Sequence, residues 1–232
     1  IPIFKTGDRR TLSNYRPISV LPSLSKIFER IVYDRIAKFL LLHNIMSPVQ
    51  FGFRQGYSTE MALTHLVDMV TDAFDNREYC VGLFIDLSKA FDTVSHVLLC
   101  KKLQRYGIRG DALNWINNYL SNRHQYVYIN NCKSSSLPFT CGLPQGSILG
   151  PLLFSIYIND LPLVTNELNF IMYADDTSIF MKHQDLNVIE RTINIEVCKI
   201  VEWLNMNKLS LNVSKCNCMI FSKKYAPTLN IH

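Results

Sequence analysis

An α+β fold is predicted by three features of the chain. Apolar residues recur at helical spacing through several long stretches, and short apolar runs rich in strand-forming residues lie between them. The two kinds do not alternate regularly, as they would in a βαβ protein. The chain has 232 residues, of which 48% are hydrophobic, 19% charged and 11% aromatic. That composition excludes a disordered chain, and the length suits one large domain or two small lobes sharing a core.

Taken in order, Leu24 to Leu42 carries an apolar stripe through Ile27, Phe28, Ile31, Ile36 and Leu40, which predicts a helix that Ser23 or Ser25 can cap. Thr59 to Asp75 repeats the pattern through Leu63, Leu66, Val70, Ala73 and Phe74. Tyr79 to Leu87 is an apolar run that reads as a strand with Asp86 at its end. Two shorter helices follow, Val94 to Tyr106 and Asp111 to Leu120, separated by a turn from Gly107 to Gly110. Gln125 to Asn130 alternates as one strand should. The loop Gly142 to Gly146 leads into an apolar helix, Ser147 to Leu161. Leu168 to Met172 and Thr177 to Met181 read as two strands joined by a tight turn. Asp185 to Met206 is a long amphipathic helix with Ile189, Ile193, Val197, Ile200 and Leu204 on one face, and Cys218 to Phe221 is a final strand.

The net charge of +5 is modest but unevenly spread. Residues 1–60 hold nine Lys and Arg against four Asp and Glu, whereas residues 61–180 hold eight against eleven. A basic N-terminal part beside an acidic middle suits a protein that holds a polyanion near a metal site. The seven cysteines are scattered without a Cys-x-x-Cys pair, so they read as reduced thiols, not as a disulfide framework or zinc site. No signal peptide is visible, and no apolar run approaches the length of a bilayer span; the longest, Ile148 to Ile158, is broken by Gly150, Pro151 and Ser155. The chain opens on Ile1 to Phe4 without an initiator Met, which reads as a piece of a longer polypeptide.

The chemistry is most legible at Tyr173-Ala174-Asp175-Asp176. A two-strand turn normally carries Asn-Gly or Asp-Gly. Two adjacent carboxylates there repel unless a cation neutralises them, so the pair points to a divalent metal and asks for a third carboxylate. Asp86, at the end of the Tyr79 to Leu87 run, supplies it. Three carboxylates converging from neighbouring strands can hold two Mg²⁺ ions about 4 Å apart, the arrangement used for in-line phosphoryl transfer. Asp86 taken alone reads as a turn cap.

These boxes carry a family resemblance. Asp86 to Asp92 resembles motif A of reverse transcriptases, and Tyr173 to Asp176 matches their Tyr-x-Asp-Asp motif C. Between them Gly142-Leu143-Pro144-Gln145-Gly146-Ser147-Ile148-Leu149-Gly150-Pro151 resembles motif B. Asn14-Tyr15-Arg16-Pro17-Ile18-Ser19 and Gln50-Phe51-Gly52-Phe53-Arg54 resemble the finger motifs of non-LTR (LINE-type, Jockey-like) retrotransposons, and Asn212-Val213-Ser214-Lys215 is similar to motif D. Six boxes in order across nearly the whole chain make the resemblance specific.

The resemblance implies a right-hand polymerase. Its fingers would run to about residue 78, and a ferredoxin-like antiparallel palm sheet backed by helices would span about 79–224. An irregular tail would fill 225–232, with the thumb absent. A chain lacking the thumb is expected to bind primer–template poorly and to extend it weakly. The implied activity is RNA-directed DNA polymerisation with two Mg²⁺ ions, Mn²⁺ substituting. The implied partners are an RNA template, a DNA primer, dNTPs and the remaining domains of a parent polyprotein (thumb and endonuclease). The implied setting is intracellular, in nucleus and cytoplasm, with no membrane.

By the same resemblance Asp86 and Asp175 are the principal metal ligands, Asp176 supports them, and the Leu87 carbonyl is a further ligand. Phe91 takes the steric-gate position, where a bulky ring crowds a ribose 2′-hydroxyl; the lesser alternative is a core aromatic at a strand end. Gln145 and Gly146 would line the nucleotide pocket, and Gly142 and Pro144 the template side, although Pro and Gly also punctuate a loop-to-helix junction. Lys215 is the candidate general acid for the leaving pyrophosphate. Lys5 and Arg16 are candidate grips on the triphosphate. Tyr173 either packs on the primer end or fills the hairpin. Two other readings compete: a decayed or domesticated nucleic-acid-binding module, whose signature would be loss of Asp86, Asp175 or Asp176, and a nucleotide cyclase, which would lack the Gly142 to Pro151 loop.

Overall fold

The computed structural model describes residues 1–223 and 228–231. Half of the tail expected over 225–232 lies outside the described residues, and 228–231 form no regular element. In chain order the elements are β1 (Pro2–Phe4), β2 (Tyr15–Pro17), α1 (Ser23–Leu42), α2 (Thr59–Asp75), β3 (Tyr79–Ile85), α3 (His96–Arg105), α4 (Gly110–Leu120), β4 (His124–Gln125), β5 (Tyr128–Ile129), β6 (Cys132–Lys133), β7 (Leu137–Pro138), α5 (Leu149–Tyr157), β8 (Asn169–Tyr173), β9 (Asp176–His183), α6 (Leu186–Met206) and β10 (Asn217–Phe221). They gather into two compact units, one of residues 1–45 with 91–157, the other of 46–90 with 158–232.

The first unit is mainly helical and is organised around α5, where Leu149, Leu153, Phe154, Ile156 and Tyr157 are all fully buried. A helix apolar all round belongs in the interior, and α1 and α3 pack on it. Its ends then need partners, because buried helix termini leave orphan N–H and C=O groups. Two buried charged side chains supply them. Glu29 of α1, 1% exposed, accepts hydrogen bonds from the Ile148 N–H (2.7 Å) and the Leu149 N–H (3.2 Å). Lys102 of α3, 8% exposed, donates from Nζ to the Tyr157 carbonyl at 2.7 Å. Each charge has the sign that complements its end of the helix dipole.

This arrangement corrects the reading of α1. Its predicted stripe is only half buried: Ile36 and Leu40 are inside, while Leu24, Ile27, Phe28 and Ile31 face outward and Glu29 faces in. Neither Ser23 nor Ser25 caps the helix; the N-cap is Pro22, and the Ser25 hydroxyl donates to Glu29 at 3.4 Å. The single strand expected over Gln125 to Asn130 is also broken. β4 pairs with β7, and β5 pairs with β6 through a two-residue turn at Asn130 and Asn131. Both asparagines have positive φ (46° and 63°), as the turn that matches strand twist requires.

The second unit is an antiparallel sheet in the order β10-β3-β9-β8. Numbered by their own sequence, these strands run 4-1-3-2, the ferredoxin-like order expected of the palm. β3 is central, which is why Cys80 and Val81 are fully buried and the strand reads as one apolar run. α2 packs on β3 and β8, and α6 on β9. Beneath α2, Phe51, Ala62, Ala73, Cys80, Ile171 and Phe180 form the core. Burial pushes the Cys80 thiol up to about 11, so it stays protonated and inert.

α2 begins at a conventional cap, with the Ser58 hydroxyl accepting from the Met61 N–H at 3.3 Å. Ser58→Ala is expected to destabilise the protein by about 1 kcal/mol, read as a lower melting temperature; an unchanged one would contradict the cap. The Asp185 side chain caps α6 by accepting from the Asn187 N–H at 2.8 Å. Of its predicted stripe Ile189, Ile193, Ile200 and Leu204 are buried, whereas Val197 is only half-buried and Glu196 turns inward at that level.

Candidate active site

The acidic hairpin sits at the end of the β8–β9 pair. Tyr173 and Asp176 are the last paired residues, so Ala174 and Asp175 form the two-residue turn and Asp176 is the first residue of β9. Ala174 has φ +60° and Asp175 does not share a positive φ. That pattern normally takes Gly at its first position. Asp175 is half-buried, Asp176 exposed, and Tyr173 exposed at the strand end. Asp175 makes no hydrogen bond or ion pair among the described residues.

β3 lies beside β9 with Ile85 opposite Thr177. One further step in the same register brings Asp86, just past the strand end, opposite Asp176. Asp86 is held from the other side by residues 210–212. The Asn212 side chain donates to Asp86 Oδ2 at 2.9 Å, and the Asn212 N–H donates to the Asp86 carbonyl at 2.8 Å. Leu87, buried, bridges to Leu211. The exposed Lys215 places Nζ 3.7 Å from Asp86 Oδ2. An exposed ion pair of this length adds little stability.

Among the described residues no three His, Cys, Asp or Glu are gathered tightly enough to hold a metal ion as they stand. The chemistry of the donors is nonetheless that of a hard divalent cation: carboxylate oxygens at the ends of neighbouring strands, with Asp175 unengaged. Asp86, Asp175, Asp176, Lys215, Leu87 and Tyr173 all belong to the second unit.

The other predicted residues belong to the first unit. Gly142 has φ +85°, and a Cβ on it would lie 2.7 Å from the Asp92 carbonyl oxygen, so only glycine fits this close approach. Its N–H donates to the Val94 carbonyl at 2.8 Å, and the Leu143 N–H donates to the Phe91 carbonyl at 2.7 Å. These bonds fix the loop against residues 91–94. Gln145, half-buried, donates from Nε2 to Asp92 Oδ1 at 2.9 Å, and its carbonyl accepts from the Ser19 N–H at 2.8 Å. Gly146 is exposed with φ +98°, and Pro144 is buried. Phe91 lies in a short 3₁₀ turn, half-buried, its ring stacked on buried Phe154 at 4.5 Å between centroids. Arg16 and Lys5 are exposed on and beside the β1–β2 pair, where Arg16 faces Ile3.

Gln50, Asn212 and Glu29 carry no role among the sequence-based expectations. Gln50 and Asn212 lay within quoted motifs, each a polar residue opening its box; Glu29 gave no local signal.

The fold and these boxes define a nucleic-acid polymerase palm, and the chain belongs to the family "Reverse transcriptase (RNA-dependent DNA polymerase)", whose match covers residues 3–228. It is 32% identical to the RNA-directed DNA polymerase from mobile element jockey of Drosophila melanogaster, over 97% of this chain and 25% of that protein. It is 33% identical to the probable RNA-directed DNA polymerase from transposon X-element of the same species, over 96% of this chain and 25% of the relative. The chain thus spans about a quarter of the length of these relatives. The expected likeness to non-LTR retrotransposon enzymes is borne out. A telomerase from Candida tropicalis, solved with a fragment of telomeric RNA, has the same fold, with a TM-score of 0.62 and 10% identity over 90% of this chain and 35% of that one. The family works with divalent metal ions. Among the described residues no helix is long and apolar enough to cross a membrane.

Proposed function

We propose that this chain forms the fingers and palm of an RNA-directed DNA polymerase that adds deoxynucleotides to a primer 3′-hydroxyl. The observation that carries the reading is the juxtaposition of β3 and the β8–β9 hairpin, which puts Asp86 and Asp176 in neighbouring strand positions with Asp175 in the adjoining turn. Asp86 and Asp175 hold the metal, Asp176 lends negative charge, and the Leu87 carbonyl is a further oxygen donor. Two Mg²⁺ ions bound there, with Mn²⁺ able to replace them, would supply Lewis acidity for phosphoryl transfer.

The chain's own groups have separate tasks in this scheme. Asn212 orients Asp86 through its side chain and backbone together. Lys215, near Asp86, neutralises or protonates the departing pyrophosphate. The Gly142–Gly146 loop presents backbone to the template and nucleotide, with Gln145 oriented by Asp92. Arg16 and Lys5 grip the triphosphate, and Tyr173 packs at the primer end. The functional division proposed is fingers to about residue 78 and palm over about 79–224; the compact units run differently, grouping residues 46–90 with the sheet. The proposed partners are an RNA template, a DNA primer, dNTPs and further domains of a polyprotein, met inside the cell in nucleus and cytoplasm. Asp86, Asp175 and Asp176 are all present, so nothing favours the decayed binding module.

Primer extension on RNA and DNA templates, comparing dNTP with rNTP, tests the reading. In Phe91→Val, selectivity for dNTP over rNTP is expected to fall by roughly tenfold or more, since a lost steric clash of 1–3 kcal/mol is worth about that. Unchanged selectivity would leave Phe91 as packing on Phe154 alone.

A further inference from the structure

The turn that carries Asp175 is unfavourable by itself. Ala174 sits at φ +60°, a region that disfavours a residue with a Cβ and that a II′-type turn reserves for glycine. Something outside the hairpin must select this conformation, and the structure shows what does. Residues 49–52 run beside β8. The Met172 N–H donates to the Val49 carbonyl and the Phe51 N–H to the Met172 carbonyl, both at 2.8 Å. Gln50 forms a parallel bridge with Met172.

The Gln50 side chain, fully buried, then closes on the turn itself. Its Oε1 accepts from the Ala174 N–H at 3.0 Å and from the Gly52 N–H at 2.8 Å, while Nε2 donates toward the Ala174 carbonyl at 3.4 Å. Two N–H groups converge on one end of the carboxamide and a carbonyl lies at the other, so the amide has one orientation. Glycine is required next door as well: a Cβ on Gly52 would lie 2.1 Å from the Ala174 nitrogen.

Both peptide groups flanking the Ala174 Cα are therefore gripped by one buried side chain. We propose that Gln50 is a positioning residue that holds Ala174 left-handed and thereby aims Asp175 at the metal. The side chain suits the task. A carboxylate at this position would add an anion beside Asp175 and Asp176, and an apolar chain would leave buried N–H groups unpaired. This inference rests on the proposed metal role of Asp175.

The test uses the whole chain and Mn²⁺ alone, with free Mn²⁺ followed by its electron paramagnetic resonance signal and folding by thermal denaturation. Gln50→Met is expected to weaken Asp175-dependent Mn²⁺ binding by about ten- to a hundredfold, the range for outer-shell partners of metal ligands. Adding Ala174→Gly, which occupies the turn without strain, should recover most of that loss. Should Gln50→Met not melt cooperatively, the shorter Gln50→Asn carries the same expectation. Unchanged Mn²⁺ affinity in the Gln50 variant, or a loss that Ala174→Gly does not recover, would overturn the positioning role. Equal Mn²⁺ binding by the wild type and Asp175→Asn would instead remove the metal role of Asp175, and the positioning role with it.

Discussion

Asp175→Asn is expected to lower Mg²⁺-dependent primer extension by roughly a thousandfold or more, the scale on which a preorganised electrostatic group contributes to a transition state. The change is nearly isosteric, and Asp175 holds no hydrogen bond or ion pair among the described residues. Nothing structural is therefore lost with its charge. The melting temperature should stay where it is while single-turnover incorporation disappears. Asp176→Asn at the exposed start of β9 should be milder, because that carboxylate is assigned a supporting role. Extension by Asp175→Asn at the wild-type rate would remove the metal assignment from the turn.

The second large effect concerns stability. Glu29→Ala withdraws the carboxylate that accepts from the Ile148 and Leu149 N–H groups at the buried start of α5. Each buried donor left unpaired costs about 1–3 kcal/mol, and the cavity left by the shorter side chain adds to that. A total loss of about 3–5 kcal/mol is expected, a substantial part of a domain's stability. It would be measured as a lower urea midpoint with an unchanged slope. Glu29→Gln keeps an acceptor of similar shape and should retain part of the loss. A shift below about 1 kcal/mol in Glu29→Ala would mean that water replaces the carboxylate without penalty.

The contrast between these two residues shows where the sequence was readable. Asp175 announced itself locally, since two adjacent carboxylates between strand-forming runs have few structural uses. α2 was plain in its bounds: Ser58 caps it and it runs from Thr59 to Asp75, although Leu63 of its predicted stripe is exposed and Ala62 is buried instead. The hairpin strands were legible because an apolar run forms the body of each, although β8 reaches Tyr173 and β9 runs on through Lys182 to His183.

Glu29 was invisible for a different reason. Its partners stand 119 and 120 residues away, and helical periodicity alone assigns a glutamate to the solvent face. The need arises in α5, whose wholly apolar surface buries its own ends, and it is met in α1. The exposure of Leu24, Ile27, Phe28 and Ile31 is the same misreading in mirror image, as turning Glu29 inward rotates part of the predicted stripe outward.

Gln50 repeats the lesson at the site itself. It reaches the Ala174 N–H across 124 residues of sequence, so its motif marked the family without disclosing the contact. The strand expected over Gln125 to Asn130 failed locally instead: it breaks at Tyr126 and Val127, between β4 and β5, and its last residue, Asn130, belongs to the turn with Asn131.

Single-nucleotide incorporation under enzyme excess, on an RNA template with an annealed DNA primer and a titration of Mg²⁺ and Mn²⁺, tests the central claim most directly. The primer is expected to gain the complementary deoxynucleotide only with the divalent ion present, and to stay unextended in Asp86→Asn as in Asp175→Asn. A primer that is bound by the chain yet stays unextended at every concentration of either ion would contradict it, and would make the three carboxylates relics in a binding module.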